Sequence, residues 1–150
     1  MIFGQLNISR MSTHSEAALQ SFIYERGISL IAIQETGVWN PSDGFFTNKA
    51  IIKNKLNDNL SGVALIAENS LFPEHLDALD DDSVDAIWCQ VKLNNKRVII
   101  GSVYTKPSKD KTGLLKLLTH IKKVQNFSIG SIAHKFASIL IYGDLNGAIV

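Results

Sequence analysis

The run Ile28-Ser29-Leu30-Ile31-Ala32-Ile33 is apolar along its length and ends abruptly in Gln34-Glu35-Thr36. With no polar face of its own, it reads as a strand buried on both faces. A similar device recurs near the end of the chain. Ile139-Leu140-Ile141 runs into Tyr142-Gly143-Asp144-Leu145-Asn146. Two core strands that each deliver an acidic residue at the C-terminal end point to a site for a divalent cation.

The remaining elements follow from periodicity. Ile2, Gly4, Leu6 and Ile8 alternate with Phe3, Gln5, Asn7 and Ser9, a strand with one polar-leaning face. Thr13-x-x-Glu16 reads as a capping box, and Ala18, Leu19, Phe22 and Ile23 form the helical face behind it, with Gly27 as the stop. Phe45 to Ile52 and Gly62 to Ala67 are strand candidates, the second the clearer. Glu68 to Ser83 is polar and acidic and reads as a loop or short helix. Ile87, Cys89, Val91 and Leu93 alternate, and Asn94-Asn95 turns them into Arg97 to Tyr104 as a hairpin. Pro107 and Ser108 break that strand. Leu114, Leu117, Leu118 and Ile121 mark a second amphipathic helix, with Lys122 and Lys123 suited to its C-terminal dipole. Gln125 to Ala137 fits no single element, and Ser138 to Tyr142 is the last strand. The order is β-α-β-β-β-ββ-α-β, for which a mixed sheet with helices on one face fits best.

The 150 residues make one domain or part of one. At 45% hydrophobic, the composition suits a globular chain with a core. A net charge of +1 provides no global basic field, so a nucleic-acid partner needs a local patch. The single cysteine, Cys89, excludes an internal disulfide and a multi-cysteine zinc site, and its strand position makes it an inert thiol. No apolar run reaches the roughly 18–20 residues of a membrane span, and the N-terminus does not read as a signal peptide. The expected setting is intracellular, with no membrane partner.

Glu35 directly follows a buried strand, where a carboxylate suits a hard cation such as Mg²⁺; a solvated strand-end glutamate is the plainer reading. Asp144 and Asn146, two residues apart in extended chain, point the same way and can share a pocket; an Asx-type turn is the alternative. Asn7 inside a strand either holds a ligand or faces water. Tyr104 at a strand end either donates to a phosphate oxygen or is simply half-buried. His14, His75, His120 and His134 have neither metal-ligand spacing nor an obvious acid partner and read as structural or solvated. Asp80-Asp81-Asp82 reads as a solvated run.

Taken together, these segments resemble the endonuclease/exonuclease/phosphatase superfamily, which includes exonuclease III-type endonucleases and deoxyribonuclease I. They come nearest to the endonuclease domain of non-long-terminal-repeat retrotransposons. The resemblance rests on Gln5-Leu6-Asn7-Ile8-Ser9-Arg10, Ile33-Gln34-Glu35-Thr36, Val103 to Ser108 and Gly143-Asp144-Leu145-Asn146, in that order. It implies an α/β fold, a four-layer α-β-β-α sandwich of deoxyribonuclease I type, truncated before its C-terminal strands. It implies that Glu35, with Asn7, binds Mg²⁺ or Mn²⁺. Asn7 and Asn146 would hold the metal site or phosphate, Asp144 would orient the attacking water, and Tyr104 would contact the phosphate. DNA is the implied substrate, and the nucleus a compartment where it is met.

The resemblance spans residues 2–147, only the first part of the family domain, so residues 1–150 are expected to be an incomplete domain. The family's later aspartate and Ser-Asp-His motif have no counterpart here, so the chain as it stands is expected to be weakly active or inactive. The apolar face of the first sheet is expected to lack its usual cover, so that a second chain or a dimer completes it. Two rival readings are a non-catalytic remnant or interaction module, and a phosphoesterase acting on small phosphate esters. The basic stretch Lys106 to Lys111 is a candidate contact for a phosphate backbone, or a solvated loop.

Overall fold

The computed structural model of the protein describes residues 1–42, 44, 46–54, 61–106, 110–130 and 136–144. Its strands are β1 (Ile2–Asn7), β2 (Ile28–Gln34), β3 (Lys49–Lys53), β4 (Val63–Glu68), β5 (Glu74–His75), β6 (Asp85–Leu93), β7 (Lys96–Tyr104) and β8 (Phe136–Asp144). The helices are α1 (Thr13–Arg26) and α2 (Thr112–Gly130). The expected order of elements holds, with β5 and two short 3₁₀ turns added inside the acidic segment 68–83. Pro107 and Ser108 lie outside the described residues.

The strands form two sheets rather than one mixed sheet. The first has the order β1-β2-β4-β3 and the second β5-β6-β7-β8. β1 runs parallel to β2, and β8 parallel to β7; the other pairs are antiparallel. Alternation along the strands builds three apolar layers. Between the sheets, Leu30, Ala32, Val63 and Leu65 meet Ile87, Cys89, Val91, Ile100 and Tyr104. On the outer face of the first sheet, Ile31, Ile33 and Ile66 pack with Leu19 and Ile23 of α1. On the outer face of the second, Trp88, Ile99 and Val103 pack with Leu117 and Val124 of α2. The result is a four-layer α-β-β-α sandwich. Each fully buried Leu or Ile in these layers contributes roughly 1.5–3 kcal/mol. Cys89 is fully buried in the middle layer, where burial pushes its thiol up to about 12.

The expectation of an uncovered face is corrected by this packing, because β6 and β7 already cover the inner face of the first sheet. What stands open is an edge. Ile2 and Leu6 of β1, and Leu140 and Ile141 of β8, are 36–50% exposed.

Local details also differ. The N-cap of α1 is Ser12, not Thr13. Ser12 Oγ accepts from Ser15 N at 3.1 Å, and Ser15 Oγ accepts from Ser12 N at 2.6 Å. Glu16 is thereby released to turn inward, where its carboxylate accepts from Trp39 Nε1 at 3.0 Å and Ser42 N at 2.9 Å. Phe22 lies half out, beneath the Arg26 guanidinium, rather than on the buried face. In α2 the inner face is Leu117, His120, Ile121, Val124 and Phe127, whereas Leu118 is exposed. α2 also runs on through Gln125 to Gly130, part of the segment that periodicity left unassigned.

Candidate functional site

Topology collects the strand ends that carry the candidate residues at one end of the sandwich. Asn7 pairs with Gln34 at the close of β1 and β2. Tyr104, at the close of β7, pairs with Asp85 on one side and Asp144 on the other. Three polar bridges then join the sheets there. Gln5 of β1 holds Gly143 of β8 through two bonds, Nε2 to the carbonyl at 3.0 Å and N–H to Oε1 at 3.1 Å. Gln34 Nε2 donates to Ser102 Oγ at 3.0 Å, and that hydroxyl donates to Ile33 O at 2.9 Å. Tyr104 donates its phenol to Glu35 Oε1 at 3.1 Å.

Gln34 and Glu35 are consecutive, yet both reach the second sheet. In a regular strand, neighbours face opposite ways. Glu35 escapes this rule because its φ is +56°, in the left-handed region. That conformation costs a non-glycine residue about 1–2 kcal/mol. It is held by main-chain bonds on both sides: Arg10 N to Glu35 O at 2.6 Å, Met11 N to Thr36 O at 2.8 Å and Thr36 N to Gly62 O at 3.2 Å. Ser9 and Arg10, just across, are also left-handed, at φ +51° and +84°. The backbone is therefore bent on both sides of the place where the Glu35 carboxylate turns toward Tyr104.

Asn7 is exposed and forms a turn, its Oδ1 accepting from Ser9 N at 3.1 Å. Glu35 is half-buried, and Tyr104 is 3% exposed. Asp144 stands at the last rung of β8 beside Tyr104; its side chain and the whole of Asn146 lie outside the described residues. The structure thus joins Glu35 to Tyr104 directly and brings the strands of Asn7 and Asp144 to the same end.

Several polar residues here had no local signature. Gln5, Gln34 and Ser102 act across 68 to 138 positions of sequence, and no spacing pattern announces such partners. Asp85, the rung beside Tyr104, accepts from Asn54 Nδ2 at 2.6 Å and Gly62 N at 3.0 Å. Burial pushes its carboxyl up, opposed by those donors, by Ser61 and by nearby Lys106. His75 and His120 have the acid partners that their sequence context did not suggest, and His134 lies outside the described residues. His75 Nε2 lies 2.8 Å from Asp80, and His120 Nδ1 lies 3.7 Å from Asp81. The run Asp80-Asp81-Asp82 is therefore not merely solvated.

For a hard cation the donor chemistry is suitable. Glu35 has one side-chain hydrogen bond among the described residues, which leaves carboxylate lone pairs free. The neighbouring Gln34 Oε1 is buried with no partner among them. No group of three His, Cys, Asp or Glu suited to a metal occurs among the described residues. Mg²⁺ commonly uses only one or two protein carboxylates, so the set fits it better than zinc. No helix among the described residues is long and apolar enough to cross a membrane.

The architecture matches solved structures of known proteins. One is the endonuclease domain of TRAS1, a telomere-specific non-LTR retrotransposon: 18% identity, TM-score 0.66, 95% of this chain and 57% of that one covered. Another is D. rerio TDP2 complexed with a single-strand DNA product, at 12% identity and TM-score 0.60, covering 95% and 59%. A third is an endonuclease/exonuclease/phosphatase from Bacteroides vulgatus, at 15% identity and TM-score 0.65, covering 96% and 65%. The chain therefore spans less than two thirds of each of these proteins. No protein-family model and no curated protein matches the sequence. Four layers, two four-stranded sheets and these structural likenesses give one conclusion: the chain has the four-layer α-β-β-α fold that these solved structures share.

Proposed function

We propose that the chain is part of a metal-dependent phosphodiester-cleaving domain, a DNA endonuclease of retrotransposon type, incomplete over residues 1–150. The observation that carries this reading is the bond from Tyr104 to Glu35 across the sheets, in a left-handed backbone, at the end where β1 and β8 also finish. A fold shared with a retrotransposon endonuclease and with a DNA-bound TDP2 supports DNA as the substrate.

In this reading Glu35, with Asn7, holds Mg²⁺ or Mn²⁺. The ion would neutralise charge on the phosphodiester as a Lewis acid. Tyr104 donates its one hydroxyl proton to the Glu35 carboxylate at rest and would turn it to a phosphate oxygen when substrate binds. Asp144 orients the attacking water and Asn146 the phosphate. Lys106, exposed just past Tyr104, adds positive charge on the approach.

The test is nicking of supercoiled plasmid by the chain with Mg²⁺, with Mn²⁺ and with chelator. Metal-dependent nicking that drops roughly a hundredfold in Glu35→Ala and Asp144→Ala is expected. Turnover of small phosphate esters without nicking moves the substrate class. Absence of turnover on any phosphodiester, with the fold intact and a completing polypeptide supplied, sinks the enzyme.

The exposed apolar residues on the paired edges β1 and β8 favour a second element of the same reading. A further polypeptide, or a second copy, extends the sheets there, and activity rises when it is supplied. If the chain stays inactive whatever polypeptide is added, the interaction-module reading takes precedence.

A further inference from the structure

We propose that Gln5 is a positioning residue, a side-chain latch that sets the gap between the two halves of the candidate site. Its primary amide behaves toward Gly143 as a neighbouring strand's peptide would, accepting from the N–H at 3.1 Å and donating to the carbonyl at 3.0 Å. Gly143 N–H and C=O both point away from β7, toward the open edge of the second sheet. Among the described residues no strand pairs with that edge group, and Gln5 takes a strand's place there.

The position of the latch gives it leverage. Gln5 and Asn7 are two residues apart on β1 and share a face. Gly143 immediately precedes Asp144. One side chain therefore ties the strand that ends in Asn7 to the strand that ends in Asp144. The other two bridges, Gln34 to Ser102 and Tyr104 to Glu35, tie β2 to β7 and do not touch β8. Gly143 also packs tightly on β7, since a Cβ there would collide with Val103 Cγ2 and sit 3.1 Å from Val103 O. The rung of β8 just before Asp144 is thus seated by β7 on one side and by Gln5 on the other.

The catalytic part of this proposal rests on the nuclease reading; the latch itself does not. Two measurements on the full chain separate them. In Gln5→Ala, amide exchange at Gly143 should rise about tenfold or more, while Ser102 and Ile33, in the buried bridge, keep their protection. Gln5→Glu keeps an acceptor for the Gly143 N–H and loses the donor to its carbonyl, so it should restore part of that protection. In the nicking assay Gln5→Ala should lower kcat about tenfold with KM for plasmid within about twofold, the mark of lost alignment rather than lost binding. Unchanged exchange at Gly143 overturns the latch. Faster exchange with unchanged kcat, in a chain that Glu35→Ala inactivates, overturns its positioning role. If the parent chain does not nick DNA even with a completing polypeptide supplied, the nuclease reading fails. The latch is then judged by exchange and by the Asp144 amide shift, which Gln5→Ala must move.

Discussion

At residue 35 two requirements conflict. The backbone prefers a glycine at φ +56°, and the site needs a carboxylate within reach of Tyr104. Retention of a glutamate in a conformation that costs about 1–2 kcal/mol marks the position as one where side-chain chemistry outweighs stability. Both Glu35→Ala and Glu35→Gly lose the Tyr104 bond, but only glycine removes the strain. Glu35→Gly should therefore be more stable than Glu35→Ala by about 1 kcal/mol in urea titration, with both variants inactive. Tyr104→Phe should cost about 1 kcal/mol in the same measurement, since it frees a half-buried carboxylate from its donor. In the nicking assay it should lose activity without losing the fold. Glu35 and Tyr104 were legible because each ends an apolar strand. The bend at Glu35 was not, since it is imposed by main-chain bonds from Arg10, Met11 and Gly62. Such bonds leave no trace in residue type.

The joint between α2 and the second sheet is built on a polar contact. Trp88 Nε1 donates to His120 Nε2 at 2.9 Å inside the outer apolar layer. The ring must then be neutral, with its proton on Nδ1 toward Asp81. Burial holds His120 below the usual histidine range; Asp81 opposes that and Lys123 adds to it. A histidine with a depressed folded pKa stabilises the fold while both states are neutral. As pH falls below about 6.5 the unfolded chain takes up the proton first, and stability drains until the folded pKa is reached. The melting temperature should fall by on the order of a few degrees between pH 7.5 and pH 5. In His120→Gln, which offers an oxygen that does not titrate, that slope should flatten. Asp81, held below its usual range chiefly by Ser83, works in the same direction, and its contribution is lost only further into the acid range. Beside this joint a Cβ at Gly101 would strike the Trp88 ring, so Gly101→Ala should cost roughly 1–3 kcal/mol, read from thermal unfolding. Alternation located β6 and β7 and periodicity located α2. The register that stacks Trp88 on Gly101 and under His120 arises only when the layers close. The misplaced cap of α1 has a similar origin: Ser12 and Thr13 are both good caps, and the reciprocal bonds with Ser15 decide between them.

For the molecule as a whole, periodicity pointed to one mixed sheet and only the resemblance implied four layers; which strands share a sheet is decided when each sheet takes one helix on its outer face and the other sheet on its inner one. Among the exposed apolar residues, Ile2, Leu6, Leu140 and Ile141 lie on the edge strands β1 and β8. Such edges recruit other strands unless charge blocks them. Sedimentation of the chain should show association that grows with concentration. The pair Leu6→Lys and Leu140→Lys should weaken it with little loss of melting temperature, because neither side chain is in the closed layers. A discrete, concentration-independent monomer would remove the case for a covering polypeptide. The Gln5 amide adds a sense of direction to any such recruitment. By occupying the hydrogen-bonding groups of Gly143, it caps the β8 border one rung before Asp144. A visiting strand can dock along Ser138 to Tyr142 and must halt there, so the molecule can gain a neighbour along its flank while its mouth stays clear.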